Sequence, residues 1–442
     1  MRPAWIRRCL TLGVSATAAF LALPGGVAAQ SLTLAEAIDR ALESHPALAA
    51  AAARVTAAEG GEAAARRSRL PSVTATAALT RHEEPMVVAP LHSLNLSSPP
   101  VFDRTLVQSQ LGVQYTVFDG GATGSRIRAA DAALEATDLG RASTEMGVLE
   151  ETVTAYVGLA TARTVLEAAR AQVSALEAER ARVERHLDAG SAARVELITA
   201  EAVLQEARAE EAGAAARVGL AERSLARSMG VSAAEVTTRT LAPVVTRPET
   251  SPATIGTSPV VRQAEEAVVM AEARSSEARA GRFPTVQAGA GLIDYGAWER
   301  SHVLEWRAGV EVAWPIFAGP RGASIRRANA EVTAARADLA AARMRTAQDV
   351  DQAATAVTAA DARAEALAAA IAQWEEVTRI EALALEAGSG EQRDLLRAEA
   401  GLYQARAGYA LARQDALTAR LRLARAEGVL DREWINAWTE SL

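Results

Sequence analysis

The chain offers five histidines to metal or proton-transfer chemistry: His45, His82, His92, His186 and His302. None stands four residues from another, the spacing that sets two zinc ligands on one face of a helix. His82 and His92 flank a proline-rich hairpin loop, which reads as a plain surface loop rather than a metal site. Gly120-Gly121-Ala122-Thr123-Gly124-Ser125 has the look of a phosphate cradle, but it lacks the lysine that a nucleotide-binding loop needs. It returns in degenerate form as Gly319-Pro320-Arg321-Gly322, so it reads as a strand-to-helix turn. Glu265-Glu266 and Glu375-Glu376 lie in polar helical tracts and read as solvated faces. These residues make no catalytic constellation. The expectation is a protein that is not an enzyme and takes no cofactor or metal.

The elements that carry these residues begin with a leader. Arg2, Arg7 and Arg8 precede a short apolar run from Leu10 to Leu23, and Val27-Ala28-Ala29 supplies small residues for cleavage. Residues 1–29 therefore read as a secretory signal, too short for a spanning helix. Cys9, the only cysteine, lies inside it, so the exported chain has no thiol for a disulfide or a nucleophile. Removing three arginines takes the formal charge from −7 to −10, which argues against a nucleic-acid partner. No later stretch reaches the roughly 18 apolar residues of a transmembrane helix.

The mature chain is written twice. Ser44-His45-Pro46 through Leu70-Pro71 returns as Thr257-Ser258-Pro259 through Phe283-Pro284, 213 residues later. Val117-Phe118-Asp119-Gly120 returns as Ile316-Phe317-Ala318-Gly319 at 199, and Asp188-Ala189-Gly190-Ser191 as Glu386-Ala387-Gly388-Ser389 at 198. We divide it into a first repeat (30–242), a Pro-rich linker or small subdomain (243–258), a second repeat (259–430) and a tail (431–442).

Proline is absent from Val101 to Ala242 and after Pro320, leaving two tracts free for long helices. Helical spacing predicts Ala122–Leu187, about 99 Å long, then a Gly-Ser turn and a return over Arg194–Met229. The second copy predicts Gly322–Leu385 and Gln392–Gly428. Ser44-His45-Pro46 opens a shorter helical stretch that stops at Leu70-Pro71, and Thr257-Ser258-Pro259 opens its counterpart. Between each proline exit and its long helix the pattern alternates instead. Val107, Ser109, Leu111, Val113, Tyr115 and Val117 share one strand face against Gln108, Gln110 and Gln114. Leu304, Trp306, Ala308, Val310, Val312 and Trp314 share another against Glu305, Arg307 and Glu311. The strand pairs fall at about 72–118 and 285–314. A soluble sheet packed on helices is the competing reading, and the polar second face favours a wet lumen. Four strands cannot close a membrane barrel, which needs at least about eight, so copies of the chain must share one.

Taken in order, these features resemble the TolC-like outer-membrane efflux family over nearly all the mature chain. The resemblance rests on Ser31-Leu32-Thr33-Leu34-Ala35-Glu36-Ala37, Ala41-Leu42-Glu43-Ser44-His45-Pro46, Leu70-Pro71-Ser72 and Tyr115-Thr116-Val117-Phe118-Asp119-Gly120-Gly121. Ala155-Tyr156, Ala189-Gly190-Ser191 and Val195-Glu196-Leu197 add to it.

The resemblance implies a mainly α fold with a small β part: long antiparallel helical hairpins forming an α-barrel, joined to a transmembrane β-barrel to which each chain gives four strands. It implies a homotrimer in the outer membrane of a Gram-negative bacterium, extending into the periplasm. There it would be the passive duct of a tripartite export system, with a periplasmic adaptor and an inner-membrane transporter as partners. It places adaptor docking at the hairpin tips, His186–Ala200 and Ala384–Ala398, with Gly190, Ser191, Val195, Leu197, Gly388, Ser389 and Leu395. The closed aperture would be lined by Asp394, with Arg397 where some members carry a second carboxylate, and by Glu196 and Thr199 in the first copy. Tyr115, Phe118, Trp306, Trp314 and Phe317 are expected in the aromatic girdle against outer-membrane lipid. The alternative is a periplasmic coiled-coil adaptor of the same machinery, though adaptors carry one hairpin and this chain carries two.

Overall fold

The computed structural model describes residues 31–88, 100–242, 244–246, 258–298 and 300–441. The signal segment, His92 and most of the Pro-rich linker lie outside them.

The first repeat opens with α1 (Leu34–Ser44) and α2 (Pro46–Arg67). The helical stretch expected to open at Ser44-His45-Pro46 is α2, and α1 precedes it as a separate helix. Pro46 cannot donate to the preceding turn, and His45 before it is extended, with φ −71° and ψ 122°. His45 then caps α2, its Nδ1 accepting from the Ala47 amide at 3.2 Å. Strands β1 (Ser72–Val87) and β2 (Phe102–Phe118) follow, then α3 (Ala122–Asp188) and α4 (Arg194–Ser228). After a five-residue helix, α5 (Ala233–Thr237), and a short strand, β3 (Val244–Thr246), the pattern repeats. It runs α6 (Pro259–Ala280), β4 (Thr285–Ala297), β5 (Arg300–Ala313), α7 (Arg321–Glu386) and α8 (Gln392–Glu427). The tail is not a separate piece. It forms α9 (Arg432–Trp438) and β6 (Thr439–Ser441), and β6 pairs antiparallel with β3 from the linker.

The two strand pairs join into one sheet of order β1-β2-β4-β5, antiparallel throughout. The helices form a wall in which α3 packs on α2 and α6 toward the sheet and on α4 and α8 away from it. Its counterpart α7 packs on α6 and α8. Halfway along, α1 lays Leu34, Ala37 and Ile38 on Leu149, Val153, Tyr156 and Leu159 of α3, with Leu421 and Ile435 completing this core. The buried Tyr156 hydroxyl lies 2.7 Å from the Leu32 carbonyl and 2.9 Å from that of Ala242, which ties both ends of the first repeat to α3.

The duplication holds down to single ion pairs. Arg208 meets Glu177 at 2.8 Å between α4 and α3, and Arg406 meets Glu375 at 2.9 Å between α8 and α7, each residue 198 positions on. One site is inverted. Arg163 meets Glu222 at 3.1 Å, whereas the equivalent Asp361 accepts from Arg420 at 2.6 Å. Crossing the hairpins would set like charges together at this level, so the inversion helps each long helix select its own return helix. The variant D361R is expected to destabilise the second hairpin by about 1–3 kcal/mol, and D361R/R420E to restore most of it. Thermal unfolding checks this, and equal midpoints for single and double variants would remove the pairing role.

Candidate functional site

The candidate site is a wall with two working ends, the sheet and the hairpin tips. Its strand-to-helix junction is built by Asp119. That carboxylate accepts from the Gly121 amide (3.0 Å), the Thr123 amide (2.7 Å) and the Thr123 hydroxyl (2.6 Å), so it caps α3. Burial opposes its charge, but these donors outweigh it and hold the carboxyl below the ordinary range. Gly120 takes φ 68°, and a Cβ there would stand 2.7 Å from the Ala280 carbonyl. The Gly-rich run is therefore a strand-to-helix turn. In the second repeat Ala318 replaces the aspartate, and α7 starts without a side-chain cap.

The register sorts the sheet into two faces. On one lie the rows Val73–Val113–Ala290–Ala308, Ala75–Leu111–Leu292–Trp306 and Ala77–Ser109–Asp294–Leu304. On the other lie Thr74–Gly112–Gly291–Arg307, Thr76–Gln110–Ile293–Glu305 and, nearer the helices, Thr116–Gln287–Glu311. The Gln114 amide donates to Gln287 Oε1 at 2.5 Å across this second face. One surface is thus apolar and the other carries charge and amide groups. Asp294 breaks the apolar side near its far end, where His302 Nδ1 stands 2.8 Å away. Tyr115 and Phe118 end β2, and Trp314 and Phe317 follow β5, all exposed at the helical end of the sheet. Trp306 departs from that belt: it sits midway along β5 and is 78% exposed.

At the other end the two tips share one geometry. Gly190 and Gly388 adopt φ 71° and 73°, the left-handed conformation that ends a helix cheaply only with glycine. The Ser191 and Ser389 amides then donate back to His186 and Ala384 carbonyls at 2.9 and 3.0 Å. Beyond this the copies differ. Asp394 is half-buried, with Arg397 at 3.8 Å and Arg393 at 4.0 Å. Glu196 instead accepts from the Ala193 amide at 3.2 Å, and the Thr199 hydroxyl donates to the Val195 carbonyl at 2.9 Å. The structure therefore joins Asp394 with Arg397, while Glu196 and Thr199 serve their own helix. Val195 is exposed; Leu197 and Leu395 are half-buried.

Sequence reasoning missed the contact that joins the hairpins near these tips. Arg182 of α3 grips Glu179 at 3.0 and 3.1 Å and also bonds Gln392 of α8. Glu399 of α8 is half-buried, and burial first, then the Glu179 charge, raises its pKa. The Glu179–Arg182 spacing was visible, but nothing in the sequence placed Glu399 opposite. Because the carboxyl pKa is raised on folding, protonation favours the packed state, and this contact weakens as pH rises through that value. E399Q should slow amide exchange around both tips at neutral pH, with the difference from the parent shrinking on acidification. An unchanged exchange rate would remove Glu399 from the contact's energetics.

The comparisons agree with this geometry. The family model described as outer membrane efflux protein matches residues 37–231 and 252–429, one block for each repeat. A search of curated proteins gives no significant match. Among solved structures, the outer membrane protein VceC of Vibrio cholerae is similar at 20% identity and TM-score 0.75, covering 89% of this chain and 96% of its own. A membrane protein of Pseudomonas aeruginosa is similar at 20% identity and TM-score 0.77, with 89% and 93% covered. The MtrE outer membrane channel of Neisseria gonorrhoeae, in its open state, is similar at 22% identity and TM-score 0.74, with 90% of each covered. With both repeats matched over most of their length, the chain belongs to the outer membrane efflux protein family.

Proposed function

We propose that three copies of this chain close one twelve-stranded β-barrel whose polar face lines an aqueous duct, continued through the periplasm by the helical wall. As a member of its family the chain is an outer-membrane efflux channel of tripartite export systems, which sets aside the adaptor alternative. The observation that carries the closed duct is the sheet itself. An apolar face, interrupted by Asp294 near its far end, and a face carrying charge and amide groups both continue across the four strands, and neither outer edge, β1 nor β5, is paired among the described residues. Unpaired edges are not tolerated against lipid, where each unsatisfied backbone group costs several kcal/mol. The flanks of the helical wall support the same closure. Val195, Ile198 and Leu220 of α4 and Met344, Ile380 and Leu383 of α7 are large, apolar and exposed in one copy, and neighbouring copies would cover them.

In this reading the duct does no chemistry. An inner-membrane transporter supplies the energy, and an adaptor docks at the tips around Gly190, Ser191, Val195, Leu197, Gly388, Ser389 and Leu395. Aromatic residues at the helical end of the sheet, Tyr115, Phe118, Trp314 and Phe317, meet the inner lipid boundary, while Trp306 meets acyl chains at mid-depth. At the periplasmic end Asp394 and Arg397 form polar contacts between copies that keep the aperture narrow, and Glu196 and Thr199 complete its rim. The arginine makes that rim less acidic than two carboxylates would.

Planar-bilayer recording tests the aperture. D394A should raise single-channel conductance severalfold by removing the contact that holds the tips together. Conductance equal to the parent's would reject the gating role and leave an ordinary solvated pair, worth only a few tenths of a kcal/mol.

A further inference from the structure

The duplication and the ladder registers together carry more than the number of copies. The offsets between repeats reproduce the second hairpin's register from the first. Ser72 pairs with Gln114; moving 213 residues on from one and 199 from the other gives Thr285 and Ala313, which are themselves paired. The two hairpins are therefore the same object, and among the described residues β2 on β4 is the only contact between them within the sheet. It shows how the trailing strand of one hairpin receives the leading strand of the next.

We infer that β5 of one copy pairs antiparallel with β1 of its neighbour in the register of β2 on β4, setting Val310 opposite Leu79, Glu311 opposite Ala78 and Val312 opposite Ala77. This rests on the shared barrel proposed above and adds which residues meet. The pairs come from Leu111–Leu292, Gly112–Gly291 and Val113–Ala290, each carried to its duplicate position. Side-chain facing provides an independent check. Val310 and Val312 lie on the apolar face of β5, and Leu79 and Ala77 on the apolar face of β1. A slip of one residue would turn apolar positions of one copy toward polar positions of the next. A slip of two keeps the faces but breaks the equivalence of the hairpins.

The same register sets the shape of the ring. Following the ladder across from Ser72 leads through Gln114 to Gly289, four residues beyond Thr285, the duplicate of Ser72. Six such steps around a closed ring give a stagger of about 24 residues over twelve strands. With ordinary strand rise and spacing, the strands tilt by roughly 50–55° and the barrel measures about 30 Å between backbones. That is steeper than the usual ~35–45° and wider than an upright ring of the same count.

Cysteine cross-linking of the full chain in outer-membrane vesicles tests the register, since Cys9 is the only native cysteine and lies in the signal segment. Directly opposed Cα atoms sit about 4.5–5.5 Å apart, within the 4.4–6.8 Å that a disulfide spans, whereas a shift of two residues adds about 6.6 Å along the strand. After oxidation, E311C/A78C should run on non-reducing gels mainly as a covalent trimer, and E311C/T76C and E311C/T80C mainly as monomer. G309C/T80C is a second pair on the same ladder, and a Cβ at Gly309 meets nothing within 4 Å. A dominant trimer from E311C/T76C or E311C/T80C would overturn this register while leaving the shared barrel standing. No cross-link from any pair, in a detergent particle of three-chain mass, would overturn β5–β1 pairing. A particle of one-chain mass would remove the shared barrel as well.

Discussion

Backbone hydrogen bonding at the two outer edges of the sheet is the constraint on which the rest of this molecule depends. Within one copy, β1 and β5 each turn a row of amides and carbonyls away from the sheet. In water such an edge is a liability, and in lipid it is prohibitive. The four strands therefore make sense only as a sector of a ring. The helical wall obeys the same logic with weaker forces. Helix α3 buries side chains along its length, from Ser125 and Ile127 to Val183, because it has partners on both flanks. Helix α7 is the same length within one residue, yet it buries only Ile325, Ala328, Thr346 and Ala353, because one flank faces outward. Strand and helix are thus left incomplete in the same way.

Duplication creates a hazard that the chain resolves by local departures from symmetry. Two nearly equivalent helical hairpins could exchange return helices during folding at little cost in buried apolar area. The inverted pairs Arg163–Glu222 and Asp361–Arg420 penalise that exchange where the helices are already committed to polar contact. Pairs that keep their polarity, Arg208–Glu177 and Arg406–Glu375, hold registers without choosing between partners. Tyr156 has Ala354 as its duplicate, so the carbonyl-binding hydroxyl that gathers Leu32 and Ala242 exists once per chain. It sits where chain start, linker and tail converge.

Much of this was legible in the sequence, for physical reasons. Long proline-free, alanine-rich tracts left helix as the only sensible outcome, and glycine at the tips marked where each helix had to end. Period-two alternation around Val107–Val117 and Leu304–Trp314 marked strands because one face meets apolar surroundings and the other does not. The start of α2 at Pro46 was legible too, because proline can open a helix but cannot continue one. The union of the hairpins through β2 and β4 was beyond reach, since strand order depends on contacts far apart in sequence. Trp306 was grouped with the belt by residue type, but its height is set by register, which alternation alone does not supply. At the tips, the Asp394–Arg397 pair followed from helical spacing. The Glu179–Arg182–Glu399 group did not, because it joins helices whose relative rotation the sequence leaves open.

The asymmetry of the two strand-to-helix junctions follows from the same division of labour. Asp119 satisfies amide donors at the start of α3, where that helix must leave the sheet at a defined angle while packed against α2 and α6. Ala318 gives α7 no such cap, and Pro320 begins it with its own backbone geometry. A fixed first junction is needed because β2 and α3 form the interior seam of the chain, and any error there would propagate into both hairpins. The second junction borders the open flank, where a neighbouring copy in the proposed ring would supply the remaining contacts. In that ring, closure would provide the angular definition that one chain lacks at α7, and assembly and local backbone geometry would be parts of one folding problem.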